Sequence, residues 1–173
     1  MDNASPPLKI YFAGPLFSSA ERAFNRQLGE RLEALGFEVF LPQRDGVERD
    51  KLPYNTMSAE EKRQRLFETD RDEISKADIF LYVLDGRVPD EGAAVELGIA
   101  YAHKYLLGVP KLLIGLHTDV RASFLGAKLN PMLRVPLNHL VEGEGALIAL
   151  LRDVLSARAT PIAGNIWSAT RSV

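Results

Sequence analysis

The sequence predicts an α/β fold: a five-stranded, mostly parallel sheet with helices on both faces. Three observations predict it. Short apolar runs at 8–12, 37–41, 79–84 and 111–116 alternate with longer segments of helical periodicity. The runs are almost continuously apolar, as strands covered on both faces are. Each intervening segment is long enough to cross from one parallel strand to the next.

Leu8 to Phe12 reads as the first strand and leaves into a loop at Ala13-Gly14-Pro15. Ser18 and Glu21 match a capping box, and Phe24, Leu28, Leu32 and Leu35 recur at helical spacing until Gly36 ends the helix. Phe37 to Leu41 is the second strand, stopped by Pro42. Residues 43–57 form a polar, Pro-containing loop long enough to suggest function. Ser58 and Glu61 repeat the capping box and open a charged helix to about Lys76, with Leu66, Ile74 and Ala77 expected on its inner side. Ile79 to Leu84 is the third strand, residues 91–107 the third helix, and Lys111 to Leu116 the fourth strand. His117 to Val135 is irregular and carries Asn130-Pro131-Met132. Pro136 to Val141 reads as a short fifth strand and Gly145 to Arg158 as a last amphipathic helix. Five such strands suit a flavodoxin-like, doubly wound order. One domain is expected over residues 8–158, between a disordered tail at 1–7 and a C-terminal tail at 159–173.

Composition narrows the function. A chain of 173 residues most simply makes one domain that buries about 70% of its unfolded surface. Lys+Arg 21 against Asp+Glu 23 gives a net charge of −2, so no basic field advertises nucleic acid or an anionic membrane. The absence of cysteine excludes disulfides, thiolate metal sites and a cysteine nucleophile. Met1 to Pro7 lacks the basic and apolar parts of an export signal. No apolar run approaches the roughly 20 residues of a membrane helix, and a cytoplasmic location is expected. His103, His117 and His139 show no metal-ligand spacing, and no Walker motif occurs. No metal or cofactor is expected.

The stretch Pro89-Asp90-Glu91-Gly92-Ala93-Ala94-Val95-Glu96-Leu97-Gly98 concentrates the chemistry. It opens a helix directly after a buried strand, at the sheet edge where open α/β folds bind ligands. Asp90 and Glu91 suit the positive end of the helix dipole without further purpose. Glu96 sits deeper, among Val95, Leu97, Ile99 and Ala100, where a charge is costly without a partner or a task. Tyr11, near the carboxyl end of the first strand, can lean over the same crevice. Asp70 belongs to a charged helix in which Asp72, Glu73 and Asp78 compete with it on composition.

An ordered set of motifs carries a resemblance. Tyr11-Phe12-Ala13-Gly14-Pro15-Leu16-Phe17, Phe40-Leu41-Pro42-Gln43, Asp70 eight residues before Asp78, Asp90-Glu91-Gly92 with Glu96-Leu97-Gly98, and Asn130-Pro131-Met132 run in order over residues 8–135. Together they resemble the nucleoside 2-deoxyribosyltransferase family. The resemblance implies transfer of a 2-deoxyribosyl group between nucleobases, with 2'-deoxyribonucleosides and free purine or pyrimidine bases as partners. Glu96 would be the nucleophile and Tyr11 would orient it. Asp70 and Asp90 would sit around base and sugar, one of them protonating the leaving base. Phe17 and Gln43 would contact the base, while Gly14 and Gly92 would leave room for substrate. Asn130 and Met132 would complete the site of a neighbouring subunit in a homo-oligomer. The residue types suit the chemistry: retaining glycosyl transfer wants an ionised carboxylate and a second carboxyl acid, and passes through a covalent ester.

The family's aromatic C-terminal residue is not matched, since the chain finishes Arg171-Ser172-Val173. A related alternative is a 2'-deoxynucleoside 5'-monophosphate N-glycosidase, in which Ser18 and Ser19 would help hold a phosphate. A non-catalytic module on the same fold is the third reading. It would want an acidic pair after the first strand, where this chain has Tyr11-Phe12-Ala13-Gly14.

Overall fold

The structure, a computed structural model, describes residues 5–47, 52–86, 88–119 and 129–159. The expected C-terminal tail beyond 159, most of the N-terminal one, and parts of the 43–57 and 117–135 segments lie outside the described residues.

Five strands, β1 (Lys9–Ala13), β2 (Glu38–Phe40), β3 (Ile79–Val83), β4 (Leu112–His117) and β5 (His139–Glu142), form one sheet in the order β2-β1-β3-β4-β5. Every pairing is parallel. This is the doubly wound flavodoxin-like order expected, and its direction of winding reverses between β1 and β3. The helices are α1 (Ser19–Ala34), α2 (Pro42–Asp45), α3 (Ala59–Lys76), α4 (Glu91–Tyr101), α5 (Pro131–Arg134) and α6 (Gly143–Ala159), with a 3₁₀ turn at Tyr54–Thr56. No helix among the described residues is long and apolar enough to cross a membrane.

Strand alternation divides the core in two. Ile10 and Phe12 of β1 pack on one face with Leu28 and Leu32 of α1 and Leu147 and Leu151 of α6. Tyr11 and Ala13 point the other way, toward Ile74 of α3 and Leu97 of α4. Each fully buried Leu, Ile or Phe contributes about 1.5–3 kcal/mol of transfer free energy, and these two layers fix the helices around the sheet.

Both capping boxes form: Ser18 with Glu21 opens α1, and Ser58 with Glu61 opens α3. Pro42, expected only to stop β2, is also the first residue of α2, where its fixed φ and missing N–H suit a helix start. The third helix is shorter than expected. Its α-helical hydrogen bonding ends at Tyr101, and Ala102–Leu106 continue as a π-helical turn. From that turn Lys104 donates to the Lys111 carbonyl and to Asn138.

Leu66 departs from its expected inner position. It is 47% exposed, whereas Ile74 and Ala77 are buried. The reason is length: an 18-residue helix spans about 27 Å, and a five-residue strand only about 17 Å. The part of α3 that precedes Ile74 therefore reaches to and past the carboxyl edge of the sheet, carrying Asp70 and Leu66 there. The other end is tied down by the buried Lys111, whose Nζ donates to the carbonyls of Ile74, at 2.8 Å, and of Ala77. Burial pushes the Lys111 ammonium down to about 8.

The loop after β1 runs close over β3. Gly14 has φ +150°, and a Cβ there would stand 2.9 Å from Val83 Cβ. Gly14→Ala is expected to destabilise the fold by about 1–3 kcal/mol through strain and overpacking. Equilibrium denaturation should show a lower midpoint at unchanged m-value.

Candidate active site

At the carboxyl edge of β1 and β3 the structure opens a cleft of about 600 Å³, lined among others by Gly14, Phe17, Gln43, Asp70, Asp90, Gly92 and Glu96. A switch point in strand order is where such a crevice is expected. Each element delivers one part of it. α2 carries Gln43, α3 carries Asp70, and the first turns of α4 carry Asp90, Gly92 and Glu96.

Tyr11 is buried beneath Glu96 in the core layer beside the cleft. Its ring lies between Phe40 of β2, with centroids 5.5 Å apart, and Phe80 of β3, 5.7 Å away, both stacked nearly parallel to it. The sheet register pairs Tyr11 with both residues, so three aromatic rings make one row across three strands. Held this way, the hydroxyl donates to Glu96 Oε1 at 2.8 Å across 85 positions of sequence. The same hydroxyl also meets the Asp70 carboxyl.

The electrostatics follow from that crowding. Burial pushes Glu96 up to about 7; the Tyr11 hydrogen bond pulls it back, and the charges of Asp70 and Asp90 push it further up. Burial raises Asp70 to about 6, again opposed by Tyr11. Tyr11 itself is raised, first by burial and then by the two carboxylates, so it stays a neutral donor. Groups shifted by desolvation in a cleft, beside a specific partner, are the physical mark of a chemical site.

Asp90 is the N-cap of α4, its Oδ1 accepting from Ala93 N at 2.8 Å. The expected dipole role and a place in the cleft are both present, because the second oxygen is not needed for the cap. Glu91 is exposed at the helix start, as a terminal charge would be. Gly92 faces the cleft, and a Cβ there would come 3.2 Å from Asp90 Oδ1. Phe17 is an exposed ring at the rim, and Gln43 Nε2 is anchored on the Arg22 carbonyl at 2.8 Å.

Asn130 and Met132 do not join this group. Asn130 caps the short helix α5, accepting from Met132 N at 2.9 Å, and Met132 is 80% exposed. Among the described residues, no cluster of three or more His, Asp or Glu side chains is arranged to hold a metal. Sequence reasoning missed Tyr82, whose hydroxyl donates at 2.6 Å to the Asp90 carbonyl and so steadies the first turn of α4. It also missed Leu66 and Val47 on the wall. A tyrosine one strand over on the same face as Tyr11 was the available signal.

Comparison with known proteins decides the family. The family model described as nucleoside 2-deoxyribosyltransferase matches residues 10–151. The chain belongs to the nucleoside 2-deoxyribosyltransferase family. Members are transferases, and this chain is an enzyme of that class. Among solved structures it is similar to the 2-deoxyribosyltransferase of the psychrotolerant Bacillus psychrosaccharolyticus, at 27% identity and TM-score 0.63 over 80% of this chain and 89% of that one. It is equally similar to a conserved protein from Enterococcus faecalis V583, at 27% identity and TM-score 0.65 over 86% of this chain and 99% of that one. No curated protein matches the sequence.

The raised Glu96 has a consequence for this deoxyribosyltransferase-family fold. The unfolded chain releases that proton near its ordinary 4.5 and the folded chain near 7, so between those values the folded state holds more protons. Stability attributable to Glu96 therefore falls as pH rises from about 4.5 to 7 and is unpenalised below. Glu96→Gln is expected to be more stable than wild type at pH 8 by about 1–3 kcal/mol, with the difference vanishing below pH 4.5. Denaturant melts at the two pH values measure it; a constant difference would mean that the carboxylate is not destabilised by its surroundings.

Proposed function

We propose that the protein transfers the 2-deoxyribosyl group between nucleobases by a retaining double displacement through a deoxyribosyl ester of Glu96. One observation carries this reading: the Tyr11 hydroxyl bonded to Glu96 Oε1 at 2.8 Å inside the cleft that Asp70 and Asp90 also line. Glu96 Oε2 attacks the anomeric carbon from the face opposite the base. The C–N bond breaks, its electron pair goes to the base nitrogen, and a carboxyl acid supplies the proton.

Asp70 suits the acid role. A hydroxyl has one proton, and Tyr11 gives it to Glu96. Asp70 lies against the same hydroxyl, which favours its ionised form and so opposes the rise that burial causes. Its value of about 6 lets it exchange that proton near neutrality. Asp90, held by its cap to Ala93 N, offers its second oxygen to a sugar hydroxyl, and Gly92 beside it leaves space. Phe17 and Gln43 face the base, and Gly14 lets the loop that carries Phe17 lie close over the sheet. In the second half-reaction an incoming base attacks the anomeric carbon, the bond to Glu96 Oε2 breaks with its electron pair returning to the Glu96 carboxylate, and the base's N–H proton goes to the carboxylate of Asp70. Excluding water in between favours transfer over hydrolysis. Asn130 and Met132, exposed and away from their own cleft, complete the site of a neighbouring copy in a homo-oligomer. No cofactor is required.

The monophosphate reading finds less support. The Ser18 side chain is taken up as the N-cap of α1, accepting from Glu21 N at 3.1 Å, and it does not line the cleft. Deoxyinosine and deoxyinosine monophosphate, each assayed with and without adenine, separate the two. Formation of deoxyadenosine from the free nucleoside is expected; base release from the monophosphate alone would overturn the proposal. Glu96→Ala should fold and lose exchange by at least about a thousandfold. A folded variant with near-wild-type rate would remove Glu96 from the mechanism.

A further inference from the structure

One buried polar side chain has no part in the chemistry above. Asn25 is 3% exposed and lies in the buried stripe of α1 with Leu28, Gly29 and Leu32. An amide in such a place is costly unless its hydrogen bonds are made. Its Nδ2 donates to the Pro15 carbonyl at 2.9 Å and to Gln43 Oε1 at 3.3 Å. Gln43 Nε2 donates in turn to the Arg22 carbonyl at 2.8 Å. The Gln43 oxygen thus faces a donor and its nitrogen faces an acceptor. Rotating the amide by half a turn would oppose two donors at Asn25 and two acceptors at Arg22. The observed orientation is therefore fixed from both sides, while one Nε2 hydrogen and one Oε1 lone pair stay free. Gln43 lines the cleft, so those free valences face what the cleft holds.

We propose that Asn25 is a positioning residue that locks the donor–acceptor polarity of Gln43, and thereby sets whether the site prefers an amino or a carbonyl group on the nucleobase. This rests on deoxyribosyl transfer and on Gln43 as a base contact. Asn25 reaches the cleft only through its neighbours. It also ties the loop after β1, through Pro15, to α2, so one helix side chain holds two walls of the base end together. A site that hydrogen-bonds one exocyclic group discriminates against the other by leaving polar groups mismatched.

Two variants test it. Asn25→Asp keeps the size but turns an acceptor toward Gln43 Oε1, which favours the rotated amide. Asn25→Leu removes the lock without reversing it, and serves if the buried carboxylate prevents folding. For each, kcat/KM is measured with adenine against hypoxanthine and cytosine against uracil, pairs that exchange an amino for a carbonyl group. The ¹⁵N–¹H resonances of the Gln43 side chain give a readout without substrate. The ratio within an accepted pair should move by about tenfold in Asn25→Asp, mainly through KM, which is the scale of one hydrogen bond turned into a mismatch. It should move less in Asn25→Leu, and the Gln43 resonances should shift in both. Folded variants in which both members of a pair change by one common factor, with Gln43 resonances unmoved, would overturn the proposal. A wild-type protein that exchanges no base would overturn the transfer reading instead, leaving the resonances to judge the polarity of Gln43.

Discussion

The hydrogen bond from Tyr11 to Glu96 is the constraint around which the site is arranged. A buried carboxyl on a helix is destabilising unless something answers it, and here the answer comes from the middle of the sheet. Tyr11 can give it because its ring is clamped between Phe40 and Phe80 in one cross-strand row. The same packing that builds the α3–α4 side of the core also sets the hydroxyl 2.8 Å from Glu96 Oε1. The core and the bond to Glu96 share this one side chain.

The architecture explains why three carboxyls converge. In a doubly wound sheet each helix returns from the carboxyl edge, so helix starts gather where strands finish. α3 is longer than the strands it covers and carries Asp70 over that edge, with Lys111 holding its far end. α4 begins at the edge and brings Asp90 and Glu96, with Tyr82 fixing its first turn. Burial then raises both Glu96 and Asp70 toward neutrality, with the neighbouring carboxylates adding to it at Glu96, the range in which carboxyls can exchange roles as base, acid and nucleophile.

Much of the fold was legible because it is written in local pattern. Apolar runs marked the strands and two capping boxes marked helix starts to the residue. What failed was geometry that depends on how far elements reach. Leu66 shares a helical face with Ile74, yet the face outruns the sheet and Leu66 becomes a cleft wall. On α1 the periodic apolar residues Phe24, Leu28, Leu32 and Leu35 suggested one stripe, whereas the buried set is Asn25, Leu28, Gly29 and Leu32. Asn25, the polar residue in the buried stripe, carries no apolar signal that periodicity could register. The Tyr11–Glu96 contact spans 85 positions, and no periodicity predicts such a pairing; family resemblance placed those two residues together. Asp90 shows the opposite case, in which a helix-cap reading and a site reading were alternatives in sequence and coexist in the structure.

The proposed double displacement requires a covalent bond between Glu96 and the sugar. The most direct measurement is mass spectrometry of the protein acid-quenched during reaction with a 2'-deoxyribonucleoside, without an acceptor base, followed by peptide mapping. A mass increase of one deoxyribosyl group is expected, confined to the peptide that contains Glu96. An unmodified protein under conditions of active base release, or an adduct on Asp70 or Asp90, would contradict it.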